Sequence, residues 1–270
     1  MDLDIKTALI TGASSGIGRA TALWFTKRGA KVYACARRTS MLEELAKQAP
    51  GQIIPVALDV SKEAETVKKI QELDDQCGGL DLVLANAGVG DTTPAHNSTW
   101  EMVERVLKVN VMGAAATLTA VLPRMIARKR GRIAGVSSIA AYRGLGGISC
   151  YSGSKAFLST FLESIKVDLY GSPVRATCIE IGYVKSEMSD KVAADEVTWM
   201  PFRMETELAA DKIARAIVKG KGRIAFPWLH VLSAQGIAAI PTPLFQPLAQ
   251  RGSRKLIAVH EASLLAKENK

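Results

Sequence analysis

Tyr151 and Lys155 stand four residues apart, and Leu158, Leu162, Ile165 and Leu169 continue the row at intervals of three and four. On a helix all six share one stripe, so a phenol and an ammonium point the same way as a buried apolar face. An ammonium there must be desolvated, which makes lysine a poor choice for stability alone. Two readings stand at this point: a lysine stretching its charge to water beside a half-buried tyrosine, or a pair that handles a proton. A second group of residues could hold phosphates. Thr11-Gly12-Ala13-Ser14-Ser15-Gly16-Ile17-Gly18 is a G-x-x-x-G-x-G run. Its glycines would let a pyrophosphate approach the unpaired amides at a helix N-terminus. The run departs from the G-x-G-x-x-G dinucleotide fingerprint. About twenty residues beyond such glycines, an acid would accept hydrogen bonds from a ribose 2′-hydroxyl. Here the chain reads Ala36-Arg37-Arg38. A 2′-phosphate would meet guanidinium groups there, so NADP(H) is the expected coenzyme, with NAD(H) second. The competing reading is two solvated arginines at the start of a surface helix.

The elements that must place these groups follow from the hydrophobic period. Apolar runs rich in β-branched residues occur at Thr7 to Thr11, Lys31 to Ala36, Ile53 to Leu58, Leu80 to Ala87, Arg132 to Ser138, Arg175 to Ile181 and Arg223 to Phe226. Between them lie stretches long enough for crossover helices, the first at Ile17 to Arg28. Strands apolar throughout suit a parallel sheet covered on both faces. The expected fold is therefore α/β, a doubly wound parallel sheet (Rossmann-like). It is read as one dinucleotide-binding and catalytic domain over 1–223, followed by the last strand and an apolar, basic extension over 224–270.

Composition bounds the function. The chain has 270 residues, 48% hydrophobic and 23% charged, enough to bury a core and too apolar for disorder. Cys35, Cys77, Cys150 and Cys178 are widely spaced without a C-x-x-C pair, which points to a reducing compartment, the cytoplasm, and to no metal. The first residues carry acids where an export signal would carry cations. Of the net charge of +9, an excess of seven lies between Asp211 and the end, where ten Lys/Arg face three Asp/Glu. No stacking aromatics or helix-turn-helix signature accompany that charge, so nucleic acid is not an expected partner.

Taken in order, these residues resemble the short-chain dehydrogenases/reductases over roughly residues 5 to 223. The resemblance rests on Thr11 to Gly18, Asn86-Ala87-Gly88, Asn110 within Lys108-Val109-Asn110-Val111, Ser138 thirteen residues before Tyr151, and Tyr151-x-x-x-Lys155. It implies that Tyr151 is the general acid in carbonyl reduction and the base in alcohol oxidation. It implies that Lys155 lowers the tyrosine's pKa and holds the nicotinamide ribose, that Ser138 hydrogen-bonds the substrate oxygen, and that Asn110 holds a water linking Lys155 to solvent. Gly12, Ser14, Ser15, Gly16, Ile17 and Gly18 would cradle the phosphates, with Arg37 and Arg38 at the 2′ position. Asp59, Asn86, Ala87 and Gly88 would line the adenosine side, although a helix N-cap at Asp59 and a tight turn at 86–88 are compatible local readings. The family's P-G-x-x-x-T is replaced by Ile181-Gly182-Tyr183-Val184-Lys185-Ser186. Val184 would offer its backbone and Ser186 its hydroxyl to the carboxamide. The resemblance also implies a homo-dimer or homo-tetramer. A coenzyme-loaded binding or regulatory protein is the alternative, but it would need only the phosphate loop.

Two segments remain. Ser186 to Thr206 carries Met188, Trp199, Met200, Phe202 and Met204, side chains suited either to an apolar substrate (ketone, steroid-, retinoid- or lipid-like) or to covering the core. Ile224 to Gln250 holds no Asp, Glu, Lys or Arg. It is long enough to span a bilayer, yet it contains Pro227, Pro241, Pro243 and Pro247. Soluble packing against the pocket or another subunit, peripheral contact with anionic lipid through 224–250, and a span are the three readings, in that order of preference.

Overall fold

The computed structural model describes residues 4–90, 93–96, 98–187, 189–190 and 202–250. Seven strands form one sheet: β1 (Thr7–Thr11), β2 (Lys31–Ala36), β3 (Ile53–Ala57), β4 (Leu82–Ala85), β5 (Arg132–Ser138), β6 (Arg175–Ile181) and β7 (Arg223–Phe226). Their order is β3-β2-β1-β4-β5-β6-β7, and every pairing is parallel. The expected doubly wound sheet is thus present. The helices are α1 (Gly16–Thr26), α2 (Thr39–Gln48), α3 (Glu63–Gln76), α4 (Trp100–Leu107), α5 (Ala114–Thr119), α6 (Leu122–Ala127), α7 (Ser149–Asp168), α8 (Thr206–Val218) and α9 (Trp228–Ala239). A π turn, Lys108–Gly113, joins α4 to α5.

Alternate strand residues feed two cores, one on each face. Ile10 packs with Phe25, Leu42, Leu45 and Ile213 from α1, α2 and α8. Its neighbour Leu9 packs with Ile70, Leu118, Leu158 and Leu162 from α3, α5 and α7. This period of two, buried on both sides, is why the strands read as unbroken apolar runs. The chain leaves β1 for β2 and β3, then returns to β4 on the other side of β1. That reversal opens a crevice at the carboxyl ends of β1 and β4, where ligands bind in open α/β sheets.

Three boundaries differ from the hydrophobic reading. The fourth strand is Leu82–Ala85 rather than 80–87. At one end the Leu80 amide donates to Asp74 Oδ1 at 2.8 Å. At the other the Asn86 and Ala87 amides donate to Thr11 Oγ1, both at 3.1 Å, instead of extending the ladder. The third strand stops at Ala57, and the first helix runs Gly16–Thr26.

Candidate active site

The glycine run folds as a strand-to-helix turn locked onto the end of β4. Thr11 Oγ1 accepts the two amides just named, and Asn86 Nδ2 donates to the carbonyls of Thr11 (3.0 Å) and Gly12 (3.3 Å). Gly12 has φ +68°, and a Cβ there would lie 2.8 Å from Ala87 Cα. A Cβ on Gly18 would lie 2.4 Å from the Gly12 carbonyl oxygen. Both positions exclude a side chain on steric grounds. Ser14, Ser15, Gly16 and Ile17 line a cavity of about 650 Å³ with Arg37, Arg38, Asp59, Asn86, Ala87, Gly88, Tyr151, Lys155 and Ser186. Gly18 does not line it; its part is the close approach of α1 to the loop, which ligand contact alone would not have required. The volume, the amides at the start of α1 and the two arginines fit a dinucleotide.

Arg38 is exposed but already partnered. Its guanidinium donates to Glu187 Oε2 at 2.8 Å, to Ser15 Oγ at 2.8 Å and to Ser14 Oγ at 3.0 Å. A 2′-phosphate drawn to Arg38 must therefore compete with a carboxylate from the loop after β6. Asp59 accepts from the Ser61 amide (3.1 Å) and hydroxyl (2.7 Å). It caps this turn rather than the helix, which begins four residues later at Glu63. Burial pushes its pKa up, but the Ser61 hydrogen bonds and the charges of Arg37 and Lys62 outweigh that and hold it below the ordinary value.

Tyr151 and Lys155 come together on the first turns of α7, and both line the cavity. The ammonium lies 5.6 Å from the phenol ring centroid and donates to the Val136 carbonyl at 2.8 Å. Lys155 is 6% exposed, so it does not snorkel to water. Burial lowers its pKa to about 8. Burial raises that of Tyr151, with a hydrogen bond to the Ser138 side chain acting in the opposite sense. In this arrangement the dominant influence on the phenol is desolvation, not the lysine. Ser138 ends β5 and also accepts from the Ala140 amide at 3.1 Å.

Asn110 sits in the π turn and is buried. Its side chain accepts from the Val89 amide (2.8 Å) and donates to the Val89 carbonyl (2.9 Å) and Ser154 Oγ (3.0 Å). Ser154 in turn donates to the Tyr151 carbonyl at 2.7 Å. Both amide hydrogens are committed within the protein, so a water beside Lys155 would be held by acceptor atoms of Asn110. Val184 is buried in a bridge to Met204 and does not line the cavity, whereas Ser186 does.

Sequence reasoning missed the far side of α7. Ser137 Oγ lies 2.8 Å from both the Lys155 carbonyl oxygen and Ser159 Oγ, and Ser159 donates to Glu180 Oε1 at 3.1 Å. Glu180 Oε2 accepts from Tyr142 (2.7 Å) and from Arg223, whose terminal nitrogen lies 2.8 Å away. Glu180 was the available signal, because a carboxylate inside an apolar strand demands partners. Of the segment after Ser186, Met188, Trp199 and Met200 lie outside the described residues. Met204 packs on the core, and Phe202 is exposed. The tail is broken: α9 has 12 residues, and a second helix occupies 242–250. Twelve residues rise only about 18 Å, so 224–250 is not a continuous span.

Fold and cleft together define an oxidoreductase of the NAD(P)-dependent α/β type. The short chain dehydrogenase family profile matches residues 6–197, and the chain belongs to that family. An uncharacterized oxidoreductase of Myxococcus xanthus (strain DK1622) is 49% identical over 253 residues, covering 93% of this chain and 98% of the relative. A short-chain dehydrogenase from Streptomyces avermitilis has a TM-score of 0.78 at 26% identity, covering 87% of this chain and 93% of that one. The closed form of serine dehydrogenase complexed with NADP+ has a TM-score of 0.75 at 27% identity, covering 82% and 94%.

Proposed function

We propose that this oxidoreductase interconverts a carbonyl and an alcohol using NADP(H) in preference to NAD(H), on an apolar small molecule. The observation that carries this reading is the meeting of Tyr151, Lys155 and the glycine loop in one cavity. When bound, the reduced coenzyme supplies a hydride to the carbonyl carbon. Tyr151, kept protonated by its buried setting, donates its phenolic proton to the carbonyl oxygen, and Ser138 orients that oxygen through its hydroxyl. Lys155, charged below about pH 8, stabilises the phenolate that remains. Asn110 fixes the Val89 backbone beside Gly88 and so the wall facing the ammonium.

The preference for NADP(H) is supported by Arg37 and Arg38 at the end of β2 and by NADP+ in the similar serine dehydrogenase. An apolar substrate is supported by the Met, Trp and Phe content of the segment after Ser186. Residence in a reducing compartment is supported by four dispersed cysteines, of which Cys178 is pushed up by burial to about 11 and is no thiolate at neutral pH. The test is NADPH oxidation across a panel of ketones and aldehydes from apolar to polar. Tyr151→Phe is expected to keep NADPH affinity within about twofold and to lose turnover by about 10²- to 10⁴-fold. Near-normal turnover in Tyr151→Phe removes the tyrosine from this role. Silence on the whole panel despite tight NADPH binding favours a binding protein.

A further inference from the structure

We propose that His230 of α9 is a positioning residue that holds the loop after β6 against the nicotinamide end of the coenzyme, a role that rests on the coenzyme reading above. His230 is the one buried residue of α9, while Trp228, Leu229 and Leu232 around it are exposed. A helix anchored for stability alone would bury a leucine at that point, because an imidazole brings polar nitrogens that need partners. Nδ1 accepts the Tyr183 amide at 3.3 Å. The Tyr183 ring packs edge-on against the imidazole, with centroids 5.1 Å apart. Gly182 makes this approach possible, since a Cβ there would lie 2.6 Å from Nδ1 and 2.9 Å from the His230 Cβ. Glycine on the loop and histidine on the helix are therefore a matched pair.

The loop gripped in this way runs along the cleft. It leaves β6 at Ile181, which pairs in register with Ser138 and lines the cavity. It reaches Ser186, close to the start of α1, where a Cβ on Gly16 would lie 3.5 Å from the Ser186 Cβ. With a 2′-phosphate drawn to Arg37 and Arg38 and the pyrophosphate to the glycine loop, the other end of a dinucleotide extends toward Tyr151, alongside this loop. The loop is tied at several amides. Gly182 donates to the Phe226 carbonyl (2.8 Å), Lys185 to the Met204 carbonyl (3.0 Å) and Ser186 to Ser189 Oγ (2.9 Å). To these His230 adds a tie from the side chain of another helix, and α9 itself packs on β7 and on the turn 139–141 that follows Ser138. Ile181 lacks the fixed φ that a proline would give the loop, and His230 supplies a restraint from outside it instead.

The experiment is calorimetric titration of the full-length protein with NADP+ and with adenosine 2′,5′-bisphosphate, which shares the adenosine and 2′-phosphate but carries no nicotinamide. His230→Leu keeps an apolar side chain in place and removes the acceptor. It is expected to weaken NADP+ about tenfold, the weight of one hydrogen bond, and to leave the bisphosphate within about twofold. His230→Asn and His230→Gln separate positioning from packing. Asparagine Oδ1 stands as many bonds from Cα as Nδ1 does, whereas glutamine is closer to histidine in size but carries its amide one bond farther out. Asparagine is therefore expected to restore NADP+ affinity to within about threefold and glutamine to resemble leucine. Thermal unfolding is read beside each titration, and the asparagine and glutamine pair decides the matter even where leucine lowers stability. Equal weakening of both ligands in His230→Leu, asparagine no better than glutamine, or NADP+ affinity unchanged in all three variants overturns the role of His230 alone. An unmutated protein that binds no NADP+ overturns the coenzyme reading and this role with it.

Discussion

The coenzyme half of the molecule and its C-terminal helices are built on opposite rules. Around β1 and β4 the backbone closes on itself so tightly that a Cβ on Gly18 would meet the Gly12 carbonyl, with Asn86 donating to the carbonyls of Thr11 and Gly12. In α9, by contrast, a Cβ on Gly236 would meet nothing within 4 Å, and Trp228, Leu229, Leu232 and Ile237 are exposed. Where a ligand must touch backbone, the turn is held from behind while the amides at the start of α1 stay open toward the cavity. In the C-terminal helices, space and apolar area are left over. The difference teaches that burial of functional groups at one end and exposure of apolar groups at the other are both departures from a merely stable fold.

The largest effect that could break this contrast lies at Lys155. Lys155→Met is expected to reduce carbonyl turnover by orders of magnitude, within the about 10²- to 10⁴-fold range of proton-handling groups. In the unmutated enzyme, kcat/KM for reduction should hold steady below about pH 8 and fall as pH rises through it. The sign follows from burial, which lowers the lysine toward about 8 and raises the tyrosine, so the ammonium is lost first. A fall that persists unchanged in Lys155→Met would assign it to another group.

Next in size is Gly18→Ala, expected to destabilise the fold by about 1–3 kcal/mol through overpacking, read by urea unfolding, and to weaken NADPH binding. A smaller effect separates the coenzymes. Arg38→Ala should weaken NADPH about tenfold, the loss of one charge-assisted contact, and leave NADH within about twofold. Glu187→Gln should instead strengthen NADPH a few-fold, because the ion pair it removes is half exposed and weak. Fluorescence titration measures both, and a wild-type preference for NADH would reverse the coenzyme assignment. Smallest is Gly236→Ala, which should stabilise by about 0.5–1 kcal/mol, since α9 gains helix propensity and loses no space. Destabilisation there would mean that α9 packs closely against something.

Much of this was legible in the residues. Strand runs and the Tyr151 to Lys155 stripe each obey a local period, and the glycine turn is marked by its composition between a strand and a helix, so neighbouring residues located all three. Several features had no local signature. Arg38 and Glu187 are 149 positions apart, and nothing near either predicts their pairing. Ser159 lies one turn beyond Lys155, yet its hydrogen bond to Glu180 appears only when β6 is laid against α7. Asn110 could be picked out by resemblance, but its commitment to Val89 and Ser154 depends on the π turn that carries it. The break in the tail, by contrast, was legible: α9 ends before Pro241, one of the prolines that placed a span last among the readings of 224–250.

By itself the sequence determined the alternation of strands and helices, the residues whose chemistry could bind phosphate or move a proton, and the uncharged tail. Each of these depends on neighbours within a few turns or pleats, where backbone geometry is fixed. Only the tertiary structure decided how far Lys155 is desolvated, which carboxylate holds Arg38, and which apolar side chains remain outside. Dielectric environment, ion pairing and exposure depend on what the rest of the chain brings to a point in space.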